Sequence, residues 1–331
     1  QVALNPALSG SFEGTARIGG LFREQDFLLH SGQYRSPILF ADAPLIRGFR
    51  KYDWVGFGIA FQYDEQPFTY GDENFSYNNK LVTSTTIGGL SYHLALDKKR
   101  KNVLSIGFQS GNASVSFTDV YLVTPESIQD YIDNPNSDLG KSYPNELPFD
   151  KSKKSNNLGY TIGSVFTSRI SDTDFLRVGA AVSNINFKKN GAGFSLLNNG
   201  SGSIYRRPMR ISAFGRYKTE LPNGLILEPR VFFQYMQPSW EASGQVLVGL
   251  KLKKPVNMVL YGGLGYNPIN GMQFLISADV KDLKIVYSFD LNLSDKTAVS
   301  GAAAAFELGV SYIIKVYKKP KPDPVLLCPQ I

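Results

Sequence analysis

The chain has 331 residues and a formal net charge of +7, with 43% hydrophobic and 19% charged residues. It is too apolar for an intrinsically disordered protein, and it lacks a run of about 18 uncharged apolar residues that would form a membrane-spanning helix. The single Cys excludes an internal disulfide. Because the chain has only 2 His in addition to this Cys, its composition argues against a zinc site. With 31 Gly and 13% aromatic residues, the composition is typical of a β-barrel or a β-sandwich.

The N-terminus has the features of a processed, exported protein. The chain opens at Gln1 without a Met, a basic region or an apolar core, so we expect that a signal peptide has been removed. Residues 1–13 precede the first predicted strand, and we assign them to an N-terminal periplasmic segment.

Long segments alternate between apolar and other side chains with a period of two, which predicts β-strands with one apolar face. In residues 53–63 (DWVGFGIAFQY), Phe57, Ile59 and Phe61 share one face, and mostly small residues occupy the other. In six such segments the apolar face carries no charged residue, although 19% of the chain is charged. The six segments are Asp53–Tyr63, Leu176–Val182, Leu225–Tyr235, Ala242–Leu252, Leu283–Leu293 and Ala304–Ile314.

The length of these runs distinguishes a membrane barrel from a soluble sheet. Most runs extend over about ten residues, whereas a soluble strand averages about five or six and a tilted membrane-crossing strand needs about nine to eleven. We therefore predict an all-β fold, a transmembrane antiparallel β-barrel of about fourteen strands of the outer-membrane type, over residues 14–316. The predicted strands begin near Gly14, Arg35, Asp53, Thr83, Asn102, Leu158, Asp174, Arg207, Gly224, Glu241, Val256, Gly271, Leu283 and Ala303.

The connections between the predicted strands alternate between short and long, as in outer-membrane barrels with short periplasmic turns and longer outer loops. The two largest predicted outer loops are residues 112–157 and 188–206, while the connections near Pro238 and Asn267–Asn270 are short where the pattern would place long ones. An even number of strands places both termini of the chain on the periplasmic side. Loops this long are usually functional or disordered.

Charged residues of both signs occupy the strand face opposite the apolar one, which would point into the barrel lumen. Mixed signs favour cross-strand ion pairs that fill the lumen over a pore that selects ions of one sign. The pore remains the alternative, and it would require a continuous water path. The predicted polar network of the lumen comprises Arg177, Glu228, Arg230, Lys251, Lys284, Asp290 and Glu307.

The sequence contains no recognisable catalytic or metal-binding pattern. His30 and His93 lie far apart and have no Ser or Cys nucleophile signature beside them. Asp133, Asn136 and Asp138 miss the spacing of an EF-hand calcium loop. We therefore expect neither an enzyme, nor a cofactor, nor a metal site.

Two basic runs, Lys98–Lys101 and Lys151–Lys154, raise the question of nucleic-acid binding. Neither lies in a recognisable nucleic-acid module, so we expect charge that faces solvent or lipid phosphates at the membrane edge. No nucleic acid is expected among the partners.

The C-terminal residues 317–331 differ from the rest of the chain. Pro320, Pro322, Pro324 and Pro329 exclude a helix and a central strand, and the Val-Leu-Leu before Cys328 is apolar. This pattern predicts a Pro-rich periplasmic tail that docks on a partner in an extended conformation, with a disordered tail as the alternative.

Several short motifs occur in a specific order along the chain. Leu4–Gly10 (LNPALSG), Arg23–Gln25 and the glycine-aliphatic Gly56–Ala60 lie in the first part. In the later part are Tyr287–Asp290, followed by Gly301 and Glu307, and the terminal Cys328–Pro329. The ordered set resembles the PorP/SprF family of Bacteroidetes outer-membrane proteins, whose opening motif is LNPAxxG and whose chains end in CP. The family's YRxQW motif is matched in part, since Phe22 and Asp26–Phe27 depart from it.

The resemblance implies an outer-membrane protein of the type IX secretion and gliding system that is not an enzyme. Its implied partners are an exported, adhesin-like cargo protein with a type IX C-terminal sorting domain and periplasmic or lipoprotein components of the machinery. Outer-membrane lipid and lipopolysaccharide would surround it. The candidate partner-binding residues are Asn5, Pro6, Pro320, Pro322, Pro324, Cys328 and Pro329.

Two other functions stay open on the residues alone. An outer-membrane porin or hydrophobic-solute transporter would share the barrel pattern and would conduct ions or take up solutes. A soluble β-propeller or sandwich would need a second patterned layer to cover the apolar strand faces, and none is recognisable in the sequence.

Overall fold

The alternating segments pair into a closed antiparallel β-barrel of fourteen strands in the computed structural model. The structure describes residues 2–25, 33–47, 50, 52–70, 77–118, 132–134, 155–185, 208–252, 257–268, 271–291 and 304–316. The strands are β1 (Ala16–Gln25), β2 (Tyr34–Arg47), β3 (Trp54–Tyr70), β4 (Tyr77–Ala95), β5 (Asn102–Thr118), β6 (Ser155–Arg169), β7 (Phe175–Ile185), β8 (Arg210–Glu220), β9 (Leu225–Met236), β10 (Ser239–Leu252), β11 (Met258–Asn267), β12 (Gly271–Val280), β13 (Leu283–Leu291) and β14 (Ala304–Ile314). The predicted fourteen-strand barrel is confirmed.

The barrel closes because its first strand pairs with its last. β1 and β14 run antiparallel in continuous register from Ala16 opposite Ile314 to Gln25 opposite Ala305. Every other strand pairs with its neighbours in sequence. Closure satisfies the backbone donors and acceptors that an open sheet would leave bare at its edges, as a lipid environment requires.

The outer face of the barrel carries the apolar residues of the alternation. Phe57, Val231 and Ile276 are 37%, 62% and 63% exposed, and dozens of other large apolar side chains share this surface. A water-soluble protein would cover such a surface, whereas a lipid bilayer solvates it. Within the described ranges, no helix has both the length and the apolar character to cross a membrane.

The two ends of the barrel differ in the length of their connections. At one end, here called the turn end, β12 and β13 are joined by residues 281–282 and β8 and β9 by residues 221–224. The other end, the loop end, has the connections 119–154 and 186–209. The loop predicted over 112–157 is shorter than expected, because β5 continues to Thr118 and β6 begins at Ser155. The loop predicted over 188–206 and the tail 317–331 lie outside the described residues.

The N-terminal residues, predicted from the sequence as a periplasmic segment, lie inside the barrel. Residues 2–13, here called the inner segment, enter the lumen from the turn end and pack against the inner faces of β3, β4, β5 and β6. A short 3₁₀ turn, Pro6–Leu8, lies within it. The segment predicted as periplasmic therefore forms much of the barrel interior, because its apolar and backbone groups find partners on the lumen face.

Candidate functional site

Apolar side chains of the inner segment form the core of the lumen. Val2 is fully buried against Ala60 and Ile87, on β3 and β4. Ala7 and Leu8 are buried in a second cluster with a valine of β6 and a phenylalanine of β8. Burial of such side chains contributes about 25 cal/mol per Å² of apolar surface, so the segment adds to the stability of the barrel.

Asn5 ties the 3₁₀ turn to the barrel wall. Its side-chain Nδ2 donates to the backbone oxygens of Ser164 (3.2 Å) and Ala180 (2.9 Å), and its Oδ1 accepts from the backbone N–H of Ala7 (2.9 Å). Asn5 thereby caps the turn that begins with Pro6. Both residues, expected from the sequence to bind a partner, are buried inside this chain and have almost no exposed surface.

A buried ion pair holds the next part of the inner segment. The guanidinium of Arg17 donates from Nε to Asp42 Oδ1 (2.8 Å) and from Nη2 to Asp42 Oδ2 (2.7 Å). The backbone N–H of Gly10 donates to the same carboxylate (2.7 Å), and Arg17 also reaches the carbonyl of Leu8 (3.4 Å). The side chains of Arg17 and Asp42 are 8% and 0% exposed, so the pair is shielded from solvent.

His93, on β4, fixes the backbone of Ser9. Its Nε2 lies 2.8 Å from the Ser9 carbonyl oxygen, which can only accept, so Nε2 carries the proton. Nδ1 then accepts from the Ser105 hydroxyl at 2.7 Å, and Ser91 donates to the same Ser9 oxygen at 2.6 Å. His93 is fully buried and stacks on Trp54, with ring centroids 4.6 Å apart. These bonds explain the histidine as a structural residue of the lumen.

Glycines of the wall make room for the inner segment. A Cβ on Gly107 would collide with the backbone of Pro6 and Ala7, and one on Gly163 would collide with the Asn5 side chain. On β3, a Cβ on Gly56 would collide with the carbonyl oxygen of Ser9. Small residues on the lumen face of the strands therefore line the path of the inner segment. Gly56 and Gly58 of β3 are an example.

The predicted polar network of the lumen is distributed over several groups. Glu228 accepts from Arg216 and Arg230, and Arg23 bridges Asp290 and Glu307 at 3.3 Å each. The other predicted members pair nearer the turn end: Lys251 with Glu220 (2.5 Å) and Lys284 with Asp279 (3.1 Å). Arg177 donates to the Thr167 hydroxyl (3.2 Å). Arg17, Asp42 and Arg216 were not predicted as members of this network, since their place on the lumen register was the only signal for them in the sequence.

Several cavities adjoin the inner segment within the lumen, among them two of similar volume. The first, of about 370 Å³, opens at the turn end between Phe12 and Trp54. The second, of about 380 Å³ and here called the lumen cavity, lies between Leu4 and Leu8 and the strands β7, β8, β9, β10 and β13. In the part of the chain that the structure describes, no group of three or more His, Cys, Asp or Glu could hold a metal ion. Tail residues Pro320, Pro322, Pro324, Cys328 and Pro329 lie outside the described residues.

Solved structures of outer-membrane barrels share this fold. The toluene transporter TodX of Pseudomonas putida is similar with a TM-score of 0.55 at 12% identity, covering 96% of this chain and 94% of that one. The toluene transporter TbuX of Ralstonia pickettii is similar with a TM-score of 0.52 at 11% identity, covering 95% and 92%. At these identities the likeness concerns the fold alone. No curated protein sequence matches the chain.

A sequence family matches almost the whole chain. The family described as type IX secretion system membrane protein PorP/SprF matches residues 1–312, from the inner segment through most of the last strand. The match includes the LNPALSG motif, whose residues line the lumen, and the β13 and β14 motifs around Asp290 and Glu307. The family and the similar barrels are secretion or transport proteins, and barrel and family together point to the outer membrane. The chain belongs to the PorP/SprF family of type IX secretion system membrane proteins.

Proposed function

We propose that this protein is an outer-membrane barrel that docks or anchors an exported, adhesin-like cargo protein at the cell surface, as part of type IX secretion and gliding. In this proposal it performs no catalysis and needs no cofactor. The observation that carries the proposal is the inner segment, which occupies the lumen of a barrel whose long connections gather at one end.

The bonds of the inner segment argue against an open diffusion pore. Its backbone is held by Asp42 at Gly10, by His93 and Ser91 at Ser9, and by the Asn5 side chain at β6 and β7. These groups are buried, and removal of a buried hydrogen-bond partner costs about 1–3 kcal/mol for each group left unsatisfied. A solute that needed the whole lumen would have to break several of them at once.

A barrel with an occupied lumen offers its ends as interaction surfaces. The loop end, with the connections 119–154 and 186–209, would hold the cargo protein through its C-terminal sorting domain. The turn end and the tail 317–331 would contact periplasmic or lipoprotein components of the machinery. Lipid and lipopolysaccharide would cover the apolar outer face.

Hydrophobic-solute transport is the second candidate function. The lumen cavity has an apolar side formed by Leu4, Leu8, Phe214 and Phe232, and the barrels TodX and TbuX bear the name of toluene transporters. Transport would require a route from this cavity to the lipid or to the periplasm. It predicts uptake of a hydrophobic solute into liposomes that contain the protein.

Purification from the native membrane tests the two functions against each other. We expect mild detergent extraction of the tagged protein to recover an exported surface protein, identified by mass spectrometry. Replacement of residues 119–154 by a short Gly-Ser linker should abolish this recovery, whereas the same replacement of residues 292–300 serves as the control. Recovery of the barrel alone, together with toluene uptake into liposomes, would overturn docking in favour of transport.

A further inference from the structure

Three arginines stand side by side on the inner wall of the barrel. Arg177 of β7 is directly opposite Arg216 of β8, and Arg216 is directly opposite Arg230 of β9. Directly paired residues of antiparallel strands point to the same face, with Cβ atoms about 4.5–5.5 Å apart. Like charges in such positions destabilise a sheet, so the row requires a compensating negative charge.

The chain supplies only part of that charge. Glu228 accepts from Arg216 Nη2 (2.8 Å) and from Arg230 Nε (2.6 Å), and its side chain is only 1% exposed beneath them. Arg177 makes one hydrogen bond, to the neutral hydroxyl of Thr167, and no carboxylate within the described ranges pairs with it. Three positive charges thus face one carboxylate.

Aromatic rings hold the cations in place without neutralising them. The guanidinium carbons of Arg177 and Arg216 lie 5.2 and 5.9 Å from the centre of the same ring, that of Phe175. The Lys284 ammonium, which is paired with Asp279, also lies 5.7 Å from the centre of the Tyr261 ring. Such contacts stabilise a cation but leave its outward N–H groups able to bind an anion.

The cations line the lumen cavity. Its wall contains Arg177, Arg216, Arg230 and Lys284, and no carboxylate among the described residues that line it. The rest of the lining of this space of about 380 Å³ is mainly apolar: Phe214 and Phe232 adjoin the arginine row on the same wall, and Leu4 and Leu8 belong to the inner segment. One part of the cavity therefore suits an anionic group and the neighbouring part an apolar body.

We propose that the lumen cavity is a binding site for a small amphiphilic anion, which places a carboxylate or phosphate group on the arginine row and an apolar body against Phe214, Phe232 and Leu8. The planar guanidinium fork matches both headgroups, since each offers two oxygens to two parallel N–H donors. The site is built from residues of the wall and of the inner segment, so it does not depend on which exported protein the barrel docks.

Isothermal titration calorimetry of the full chain in a non-ionic detergent tests the site. The probes are 4-phenylbutyrate and 3-phenylpropyl phosphate, which share an apolar body and differ in headgroup, 4-phenylbutan-1-ol, which is neutral, and inorganic phosphate, which lacks an apolar body. We expect one site per chain for at least one aromatic anion, weakened by salt, with the neutral and purely inorganic probes binding at least tenfold more weakly. The tighter of the two aromatic anions identifies the preferred headgroup.

Arg177→Gln is the informative variant, because no carboxylate of the described chain loses its partner. It should weaken binding of the aromatic anion about tenfold, the loss expected for one charge-assisted hydrogen bond. Lys251→Gln is the matched control, since it removes a cation of the same lumen that does not line the cavity, and it should leave the affinity unchanged. Arg177→Lys retains the charge and should lose less affinity than Arg177→Gln. This comparison distinguishes the loss of the charge from an effect of either substitution on folding.

Three results would overturn the proposal. The first is the absence of binding by both aromatic anions. The second is equal affinity for the aromatic anion and either the neutral alcohol or inorganic phosphate. The third is equal affinity of Arg177→Gln and the unaltered protein for the aromatic anion, measured on samples whose thermal unfolding temperatures agree.

Discussion

The buried pair Arg17–Asp42 gives the most direct test of how firmly the inner segment is held. In Asp42→Ala the carboxylate is lost, and Arg17 remains in a site where its side chain is only 8% exposed. The two bonds from Arg17 and the bond from the Gly10 N–H disappear together. Arg17 keeps its contact with the Leu8 carbonyl and with the Phe12 ring, whose centre is 4.8 Å away.

The expected loss of stability follows from the burial of the pair. Removal of one partner of a buried ion pair costs about 3–5 kcal/mol, because the remaining charge is left without compensation. The double substitution Arg17→Met with Asp42→Leu removes both charges of the pair. The Gly10 N–H then loses its acceptor, and the Leu8 carbonyl loses its contact with Arg17. We expect the double variant to lie within about 2 kcal/mol of the unaltered protein.

Two measurements on liposome-embedded protein separate the effect on the stability of the whole barrel from the effect on the inner segment. Urea unfolding measures the free energy of unfolding of the barrel, and hydrogen exchange measures protection of the Ser9 and Gly10 amides. We expect Asp42→Ala to lower both and the double variant to restore most of each. If Asp42→Ala unfolds at the same urea concentration as the unaltered protein and exchanges these amides at the same rate, the buried pair does not hold the inner segment.

Three further substitutions probe other parts of the barrel. Gly107→Ala should lower the free energy of unfolding by about 1–3 kcal/mol, because its methyl group meets the backbone of Pro6; Gly88→Ala, which meets nothing within 4 Å, is the control and should have no such effect in urea unfolding. Glu228→Gln should destabilise the barrel by about 1–3 kcal/mol, which is less than the loss of one partner from a fully buried ion pair, because its arginines are partly exposed. The same substitution should tighten anion binding in the calorimeter, and weaker binding would contradict this expectation. At the turn end, the pKa of Asp97 lies below its usual 3.8, mainly because its carboxylate accepts a hydrogen bond from the backbone N–H of Lys101. The ionised Asp97 therefore stabilises the folded barrel fully above that value, and this stabilisation is lost as the pH falls through the lowered pKa. The difference in unfolding midpoint between the unaltered protein and Asp97→Asn should therefore shrink with acid, and a difference independent of pH would count against this assignment.

The inner segment links the family motif to the physical role of its residues. In LNPALSG, Asn5 bonds the wall and caps a turn, Ala7 and Leu8 pack in the core, and the Ser9 carbonyl receives His93. The motif is therefore explained by packing inside one chain. Its residues remain candidates for partner binding only in a state in which the segment leaves the lumen.

Alternation along the chain was sufficient to predict the barrel, its strand number and its lipid-facing residues. A period of two is a local property, since it follows from the opposite directions of successive side chains on one strand. Phe57 and Val231 could therefore be assigned to the outer face without knowledge of their neighbours, and both lie there. The ordered motifs likewise identified the family from the sequence.

Only the tertiary structure revealed what the lumen contains. Arg177, Arg216 and Arg230 lie on three different strands and become neighbours through the register of β7, β8 and β9. The inner segment has no periodicity that indicates what covers it, and its contacts with Asp42 and His93 depend on how the closed wall is arranged around it. Contacts across a lumen depend on strand register and closure, which are properties of the whole sheet rather than of any one strand.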